Sequence, residues 1–586
     1  MLAARWTIAA GGALLFVGFL YAAAAQESPT LYDPAKDPLV NPARLFETAP
    51  SDADQIDYDA VLYRNSDMRP TSLCPLFMSS TSEFYFQSAL FEGLFQFDAD
   101  LNFAVNEKLV AEFNESADHK TYTVRLKPGL RWHDGAPLTA HDVVYSFKTI
   151  MDPQVPCPTA KTGTDELEDV IAVDDLTVKI VHKRALATNK WNALYPLIPK
   201  HIYEVDQAQN PSLRAGDYYN KVNRAPIGNG AYKFVEWTDE RIVLDRWDEF
   251  PGPRPHFKRI VFRFIADASV LVQSFCKQDL DEVRLTAKQF ATQILPGSDF
   301  AKVGSKIWKP QWSYSYLSWN MDGSNPFFGD VRVRRALAHA CNMPQMLKDL
   351  TYGLSAQSAG IFARNSPWFT PVELIQHDRK RAAALLDEAG WIIDPERDGW
   401  RHKVIDGKPV KFEFTVRIAS SSQLQADFMA VIQQDLKRVG IDAKTQPMEA
   451  ATLQEQIRNH QYQAAMQAFG TGVDPDVLSN IWHSASYSPD GKSGRNFGGY
   501  KNARVDELFK LGRQEMDLEQ RRKYYQELGK IIYDEQPYLF LEERSNLWGV
   551  SNRIRGVTVS PRGLFNYRPA EQGWWIPSSK YPGVEK

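Results

Sequence analysis

Apolar and polar residues follow two periods along this chain, and stretches of the two kinds interleave. Residues 412–418 alternate apolar and polar side chains as a half-buried strand does, whereas 424–436 place apolar residues on one helical face. Gly440 suits the end of that helix, and a further strand pattern begins at Ile441. A strand, a helix and a second strand in this order predict a parallel pair joined by a right-handed crossover.

The first half of the chain carries shorter patterns, most of them antiparallel. Residues 122–126 alternate as a strand, and two hairpins are predicted at 171–180 and 232–244. Thr139 precedes a helical pattern, and Asp142, three residues later, completes a capping box. We find no internal repeat in the sequence. The predicted fold class is therefore mixed α/β with several lobes.

Composition places the chain among ordinary globular proteins, since 44% of its 586 residues are hydrophobic, 24% are charged and the net charge is −4. That length suggests about three or four domains. The near-neutral charge argues against a nucleic-acid partner, which favours a basic face. A mean hydropathy of −0.40 excludes a polytopic membrane protein. The 15 Trp, 24 Tyr and 32 Phe residues suggest aromatic walls somewhere in the fold.

The first 25 residues differ from the rest of the chain. Arg5 is their only charge, the stretch from Ala9 to Ala25 is almost wholly apolar, and it ends in three alanines before Gln26. A basic start, an apolar core and an Ala-x-Ala exit describe a secretory signal peptide at residues 1–25. The alternative is a retained N-terminal anchor. Either way we expect an exported protein.

Four cysteines, Cys74, Cys157, Cys276 and Cys341, occur outside that segment. In an exported protein they permit two disulfides, with three connectivities that the sequence does not distinguish. No pair has C-x-x-C spacing, so zinc binding and thioredoxin-type redox chemistry are poorly supported. Structural thiols or bridges are the expectation.

Catalytic patterns are missing from the sequence. It contains no H-E-x-x-H, no G-x-S-x-G and no Walker-type loop, and the glycines of Gly228-Asn229-Gly230 open a strand rather than a helix. The acidic pairs Asp174/Asp175 and Asp474/Asp476 are best interpreted as turn residues. We therefore expect no enzyme, no cofactor and no metal. A secreted hydrolase, with carboxylates brought together only by folding, is the remaining alternative of another class.

The most specific motif is Trp132-His133-Asp134-Gly135 followed by residues 137–147, a tight turn and then a capped helix. This run resembles the family 5 extracellular solute-binding proteins, the peptide/nickel-type receptors of ABC importers. Further blocks of the chain are similar to that family in the same order: 90–94 with 106–109, 225–232, 320–337, 378–391 and 494–506. Asn229 and Ala231 depart from the usual Thr and Pro of their block. The runs at 352–354 and 482–484 look closest to YejA-like oligopeptide receptors.

The resemblance implies a fold and a function. It implies a type II-like periplasmic binding protein with two closing α/β domains, a hinge near 312–320 and 540–548, and an extra lobe. The implied boundaries are 26–82, 201–312 and 546–586 for the discontinuous first domain, 83–200 for the extra lobe and 313–545 for the second closing domain. Such a chain would be a periplasmic monomer that captures oligopeptides or modified peptides and delivers them to an inner-membrane ABC permease. The alternative is the same receptor fold for an opine, an oligosaccharide or a metal chelate.

The candidate ligand-binding residues follow from the same mapping. Strand alternation places Trp312, Tyr314 and Tyr316 on one face, either as a ring-lined cleft wall or as a face covered by another layer. In peptide receptors of the family, an Asp four residues before a Pro binds the ligand's α-amino group. Here the Pro is Pro475 and the residue is Thr471, which departs from that pattern.

Asp474 or Asp476 could replace the missing carboxylate, although a plain Asp-Pro turn is the more economical interpretation. Arg495 could pair with a ligand carboxylate, or equally with a surface or interdomain acid. The other candidates for the wall of the cleft are Ser82, Glu83, Phe84, Tyr85, Phe469, Trp482 and Asn496.

Overall fold

The computed structural model describes residues 32–582 except for 67–68, 79–80, 215–221, 395–396, 490–493, 565–566 and 568–569. The predicted signal peptide at 1–25 lies outside the described residues. The α-helices are Thr81–Leu90, Ala140–Met151, Pro158–Lys161, Asn189–Asn192, Lys200–Gln209, Ala268–Cys276, Asp299–Val303, Val331–Ala340, Met343–Thr351, Arg379–Glu388, Gln423–Lys437, Ala450–Arg458, Ser479–Trp482, Ala503–Gln514 and Leu518–Glu535. Among the described residues, no helix combines the length and the apolar character needed to cross a membrane.

Twenty strands accompany these helices in the described part of the chain. They are β1 (Val61–Ser66), β2 (Phe95–Phe97), β3 (Phe103–Val105), β4 (Val110–Glu115), β5 (Thr121–Leu126), β6 (Leu167–Ala172), β7 (Thr177–His182), β8 (Tyr232–Trp237), β9 (Arg241–Arg246), β10 (Arg259–Phe264), β11 (Glu282–Arg284), β12 (Gly304–Trp319), β13 (Ala356–Gln357), β14 (Ile392–Ile393), β15 (Arg401–Ile405), β16 (Lys408–Lys411), β17 (Glu413–Ala419), β18 (Asp442–Met448), β19 (Ala464–Gly470) and β20 (Tyr538–Ser551).

Two sheets form the first part of the molecule. A four-stranded sheet has the order β1-β10-β9-β8, in which β1 and β10 are parallel and the other pairs antiparallel. A second four-stranded sheet, β4-β5-β7-β6, is wholly antiparallel and packs against the helix Ala140–Met151. Each sheet has its own buried cluster of apolar side chains, so the two sheets have separate cores.

The largest sheet has seven strands in the order β11-β20-β12-β19-β17-β18, with β13 added beside β20. Its longest members, β12 and β20, are antiparallel partners of 16 and 14 residues. One half of this pair carries β11 and packs near the first sheet, and the other half carries β19, β17 and β18. The two strands therefore join a first body, which contains the β1-β10-β9-β8 sheet, to a second body, which contains β19, β17 and β18.

The register between β12 and β20 shifts between Pro310 and Tyr314 and again between Ser315 and Tyr316. Such irregularities bend a strand and increase its local twist. They fall where the pair passes from one body to the other, which is the region that the sequence mapping gave as a hinge.

The structure contains the elements that were predicted from short stretches of the sequence. The strands β17 and β18 are parallel neighbours joined by the helix Gln423–Lys437. Thr139 and Asp142 form the reciprocal hydrogen bonds of a capping box. The pairs β6–β7 and β8–β9 are the two predicted hairpins.

All four cysteines are free thiols in this structure. Cys74 and Cys157 belong to the same apolar cluster, the one that covers the β4-β5-β7-β6 sheet, and burial raises the pKa of the Cys74 thiol to about 11. Cys341 lies in the core around β17. Of the two expectations, structural thiols describe this arrangement and bridges do not.

Candidate functional site

A cleft of about 630 Å³ separates the two bodies that β12 and β20 join. The wall from the first body comes from Asn65, Tyr85 and the stretch 266–288. The opposite wall comes from 349–355 and from 422–427, the beginning of the helix Gln423–Lys437. Residues 542–548 of β20 complete the lining. The cleft therefore lies against the hinge strands, between elements that move relative to each other if the hinge bends.

Seven charged side chains line this cleft. The cations are Arg284, Lys288 and Arg544, and the carboxylates are Glu282, Glu542, Asp349 and Asp427. Most polar clefts of this volume recognise a polar ligand through a few placed groups. The arrangement can hold a zwitterionic or charged solute. Among the described residues, no group of three His, Cys, Asp or Glu side chains is placed to hold a metal ion.

Glu282 is the most perturbed of these acids. Burial raises the pKa of its carboxyl to about 7, whereas the Arg64 guanidinium, 3.6 Å away, favours the charged form and limits the rise. Arg64 itself lies between Glu282 and Glu571 and is fully buried. The nearby charge of Asp281 adds to the rise in the pKa of Glu282. The cleft wall thus contains a carboxyl that changes its charge near neutral pH.

This pKa predicts a pH-dependent stability. The folded carboxyl of Glu282 keeps its proton up to about pH 7, whereas the unfolded chain loses it near pH 4.5. Its contribution is therefore complete below pH 4.5 and is lost as the pH rises to 7, by about 2 to 3 kcal/mol. Glu282→Gln removes this dependence. We expect urea unfolding at pH 5 and pH 8 to show a smaller difference in the variant than in the wild type. Glu519→Gln, which changes an exposed acid, is the control and should behave as the wild type. If Glu282→Gln lost as much stability as the wild type between pH 5 and pH 8, the prediction would be contradicted.

A second cavity, of about 320 Å³, lies between the helix Thr81–Leu90 and the segments 91–97 and 194–197. Phe84, Phe97, Arg562 and Tyr567 are among its lining residues. The side chain of Phe84 is 39% exposed, although it is a large apolar ring. Because Tyr85 lines the larger cleft and Phe84 this one, a single helical turn borders both.

The four candidates at 82–85 therefore lie in different surroundings. Phe84 and Tyr85 face cavities, whereas Glu83 is buried and accepts hydrogen bonds from the amide and hydroxyl of Thr71. Ser82 belongs to the helix Thr81–Leu90, but its side chain lies outside the described part of the chain.

The three rings of β12 do not share one environment. Tyr314 and Tyr316 are buried beneath a helical layer with Trp482, and Tyr316 stacks on Tyr538 with ring centroids 4.1 Å apart. Trp312 instead packs with residues of the extra lobe and with Tyr567. The register shifts along β12 account for this separation, since they interrupt the strict alternation of faces. For the two tyrosines, the covered-face alternative describes the packing seen here.

Thr471 lies directly beside Trp312. Its amide and its hydroxyl both donate to the Trp312 carbonyl oxygen, at 2.9 and 3.4 Å. Asp474 has protein partners: it accepts two hydrogen bonds from Arg521 and one from Trp191 Nε1 of the extra lobe. Asp476 pairs with Arg513. In this arrangement both carboxylates near Thr471 are engaged by protein cations.

The remaining candidates differ in their surroundings. Arg495 is exposed and its guanidinium lies 5.3 Å from the centroid of the Phe469 ring, a cation–π contact at the surface of the second body. Asn496 is buried and its side chain bonds the backbone of His483 and Tyr500, so it stabilises a loop. Whether any of the thirteen candidates contacts a ligand stays a prediction.

Three arginines were not singled out from the sequence: Arg284 and Arg544, which line the cleft, and Arg562, which lines the second cavity. One signal for Arg544 was present, because Glu542, Glu543 and Arg544 are consecutive charges in β20 directly after the apolar run 538–541. Charges inside a strand that is mostly buried on both faces indicate a cavity or a binding site. Arg284 and Arg562 carry no comparable signal, since each follows ordinary turn or strand residues.

Two sheet-containing bodies that face each other across a polar cleft, joined by a pair of long strands, define a ligand-binding protein of the hinged class. The model of the bacterial extracellular solute-binding proteins, family 5, matches residues 104–491. This chain belongs to that family, the substrate-binding class of ABC importers, which confirms the resemblance and the fold class. The members of this family are solute receptors and are extracellular; whether this chain lacks catalytic activity stays a prediction.

Individual relatives extend over most of the chain. The oligopeptide-binding protein AppA of Bacillus subtilis is 28% identical over 517 residues, 86% of this chain and 90% of AppA. The dipeptide-binding protein of Escherichia coli is 25% identical, covering 78% and 84% of the two chains. The structure of AppA with a nonapeptide superposes with a TM-score of 0.74 at 26% identity, covering 89% and 100%. NikZ of Campylobacter jejuni with Ni(L-His), 21% identical at a TM-score of 0.75, shares the fold.

Proposed function

We propose that this protein captures oligopeptides in the cleft between its two bodies and delivers them to an inner-membrane ABC permease. The observation that carries the proposal is the likeness to AppA over 86% of this chain and 90% of AppA, whose structure contains a bound nonapeptide, together with a polar cleft of about 630 Å³ against the hinge strands. The signal-peptide pattern at residues 1–25 supports a periplasmic location.

The mechanism is closure about β12 and β20. The proposed closing domains are 26–82 with 201–312 and 546–586 on one side, and 313–545 on the other, with 83–200 as the extra lobe. A ligand that contacts both walls binds the closed form more tightly, and it shifts the open–closed equilibrium by that difference in affinity.

Unsatisfied polar groups at the hinge support a ligand in this region. The side-chain atoms Gln311 Oε1, Trp312 Nε1 and Ser313 Oγ are buried without a hydrogen-bond partner among the described residues. They are consecutive, and they lie where the β12–β20 register is interrupted. Buried polar atoms are nearly always paired, and ordered water or a ligand can supply the missing partners. A peptide main chain offers such donors and acceptors at every residue.

Recognition of a free peptide amine follows a different route from the family pattern. Thr471 replaces the expected carboxylate, and Asp474 and Asp476 are engaged by Arg521 and Arg513. The chain therefore depends on main-chain hydrogen bonds and on its other charged groups more than on an ion pair at position 471.

The test is native mass spectrometry of the purified protein, followed by sequencing of the released ligand and by small-angle scattering with and without it. We expect a mixture of short peptides and a smaller radius of gyration in the complex. Recovery of one sugar, opine or metal complex would contradict peptide capture and favour the same fold with another solute. An unchanged radius of gyration would contradict hinge closure.

A further inference from the structure

The extra lobe, the body of the β4-β5-β7-β6 sheet, contacts the second body directly. Trp191 Nε1 donates a hydrogen bond to Asp474 Oδ2 at 2.7 Å. The Ala187 amide donates to the Arg513 carbonyl oxygen at 3.1 Å. Because the acceptor of the first bond is a carboxylate, that bond is charge-assisted and stronger than a neutral one. Two hydrogen bonds thus connect the segment 187–191 of the extra lobe to the second body.

The extra lobe fixes the indole ring of Trp191. The Asn189 side chain, in the same short helix, donates to the His119 carbonyl oxygen at 3.0 Å. The Trp191 ring stacks on Phe97 with ring centroids 5.2 Å apart, and Phe103 meets it edge-on at 5.7 Å. A ring that is already packed loses little further side-chain entropy when its N–H group binds a partner.

The second body fixes the acceptor in the same way. The two Asp474 oxygens accept from Arg521 at 2.7 and 2.8 Å, and Oδ1 also accepts from the Asp476 amide at 2.9 Å. These partners belong to the second body, so they stay bonded to Asp474 when the extra lobe separates from it. The bond from Trp191 can therefore form and break without disturbing the ion pair between Arg521 and Asp474.

Apolar side chains extend the contact between the extra lobe and the second body. Leu101, in the turn between β2 and β3, packs in a buried cluster with Ala363 and Val473 of the second body. Trp312, at the register shift of β12, belongs to the same cluster. Separation of the lobe from the second body would expose these groups to water, which costs free energy in proportion to the apolar area uncovered.

The extra lobe is also fixed to the first body, at a different place. His133 of the extra lobe accepts a hydrogen bond from the Gly228 amide at 3.1 Å. The Asn229 side chain bonds the amide and the carbonyl oxygen of Glu92 at 2.9 and 3.0 Å. Because the lobe follows the first body, rotation of the second body about β12 and β20 breaks the contacts between the extra lobe and the second body.

We propose that the extra lobe is a latch that stabilises the closed form of the receptor through the Trp191–Asp474 bond and the apolar cluster around Leu101. None of these three residues is among the described lining residues of the larger cleft. The latch shifts the open–closed equilibrium with or without a ligand, because its contacts exist only in the closed form. The inference rests on the proposed hinge closure, and it does not depend on the identity of the ligand.

The test measures the distance between the extra lobe and the second body by pulsed electron paramagnetic resonance. Spin labels are attached to keto amino acids at two exposed positions, Glu112 in the extra lobe and Glu519 in the second body, so the native cysteines stay unlabelled. Each protein is measured without ligand and with a pool of random nonapeptides. We expect a short and a long distance, and we expect the nonapeptides to favour the short one.

Two variants weaken the latch from opposite sides. Trp191→Phe keeps an aromatic ring but removes the N–H donor, and Val473→Ala reduces the apolar cluster from the second body. Each is expected to lower the ratio of short to long distances about fivefold without ligand. Trp400→Phe is the control and should retain the wild-type ratio, since the Trp400 ring packs under the Lys411 ammonium of the second body. Urea unfolding checks that the variants are folded, and Val473→Ala tests the latch even if Trp191→Phe is not.

The outcomes separate the latch from the hinge. Equal ratios in the wild type and in both latch variants, with and without nonapeptides, would overturn the latch and leave hinge closure and peptide capture standing. A single distance in every protein, unchanged by the nonapeptides, would overturn the latch and contradict hinge closure as well. A change in Trp400→Phe as large as that in Trp191→Phe would also overturn the latch, since the effect would then not come from the bond to Asp474.

Discussion

Replacing Arg521 by methionine is expected to lower the free energy of unfolding by about 3 to 5 kcal/mol. Arg521 is 3% exposed and forms a two-pronged ion pair with Asp474, at 2.7 and 2.8 Å, in the interior of the second body. Its Nε also donates to the Gly512 carbonyl oxygen. Methionine fills a similar volume but leaves the buried Asp474 charge without its cation, which is the costly half of breaking such a pair.

The measurement is urea unfolding of the variant beside Arg522→Met. Arg522 is the neighbouring residue on the same helix, and its partner Glu519 is mostly exposed, so its loss should cost less than about 1 kcal/mol. Asp474→Asn combined with Arg521→Met should regain part of the lost stability, because no uncompensated charge then remains. Equal losses for Arg521→Met and Arg522→Met would show that the pair contributes little.

Asp474 also illustrates what sequence reasoning can and cannot find. Its Asp-Pro setting was compatible with a turn and with a ligand amine site. Asp474 does cap the short helix Pro475–Leu478, as a turn interpretation requires. Its two other partners, Trp191 and Arg521, are 283 and 47 residues away in the sequence. Such contacts depend on tertiary packing, and no local pattern contains them.

The elements that the sequence predicted well are those encoded within one stretch of chain. The β17–helix–β18 unit and the capping box at Thr139 depend on neighbours a few residues apart. The pairing of β12 with β20 joins strands more than 200 residues apart, and its irregular register could not follow from alternation alone. For that reason Trp312 faces a different cluster from Tyr314, although strict alternation places them on one face.

The family blocks have a structural meaning that their spacing did not reveal. Three separate segments meet at one point: Gly228-Asn229-Gly230, the end of the helix Thr81–Leu90, and His133. Burial lowers the pKa of His133 to about 4, so its ring is neutral. Its Nδ1 accepts from the Gly228 amide and its Nε2 donates to the Gly230 carbonyl oxygen. The Asn229 side chain bonds both the amide and the carbonyl oxygen of Glu92. Three separated blocks thus stabilise one junction between the first body and the extra lobe.

Gly228→Ala is expected to disrupt this junction and to destabilise the protein by about 3 kcal/mol or more. A Cβ atom at position 228 would lie 1.9 Å from the Leu90 carbonyl oxygen and 3.1 Å from His133 Cε1. The closer atom belongs to the backbone, so no side-chain rotation relieves the overlap. The loop must move, which lengthens the bond between the Gly228 amide and His133 and separates the strand β8 from the end of the helix. Thermal unfolding of the variant checks the expectation.

The matched control is Gly329→Ala, because a Cβ atom at position 329 meets no atom within 4 Å. This substitution adds the same methyl group to the same chain, on an exposed loop, and should change stability by less than about 0.5 kcal/mol. If Gly228→Ala unfolds at the temperature of the wild type, the close approach of residues 228 and 90 is not maintained in solution. If the variant unfolds at a lower temperature and also loses peptide binding while it is still folded, the junction has a second role besides stability. It then positions the helix Thr81–Leu90, whose Phe84 and Tyr85 border the two cavities.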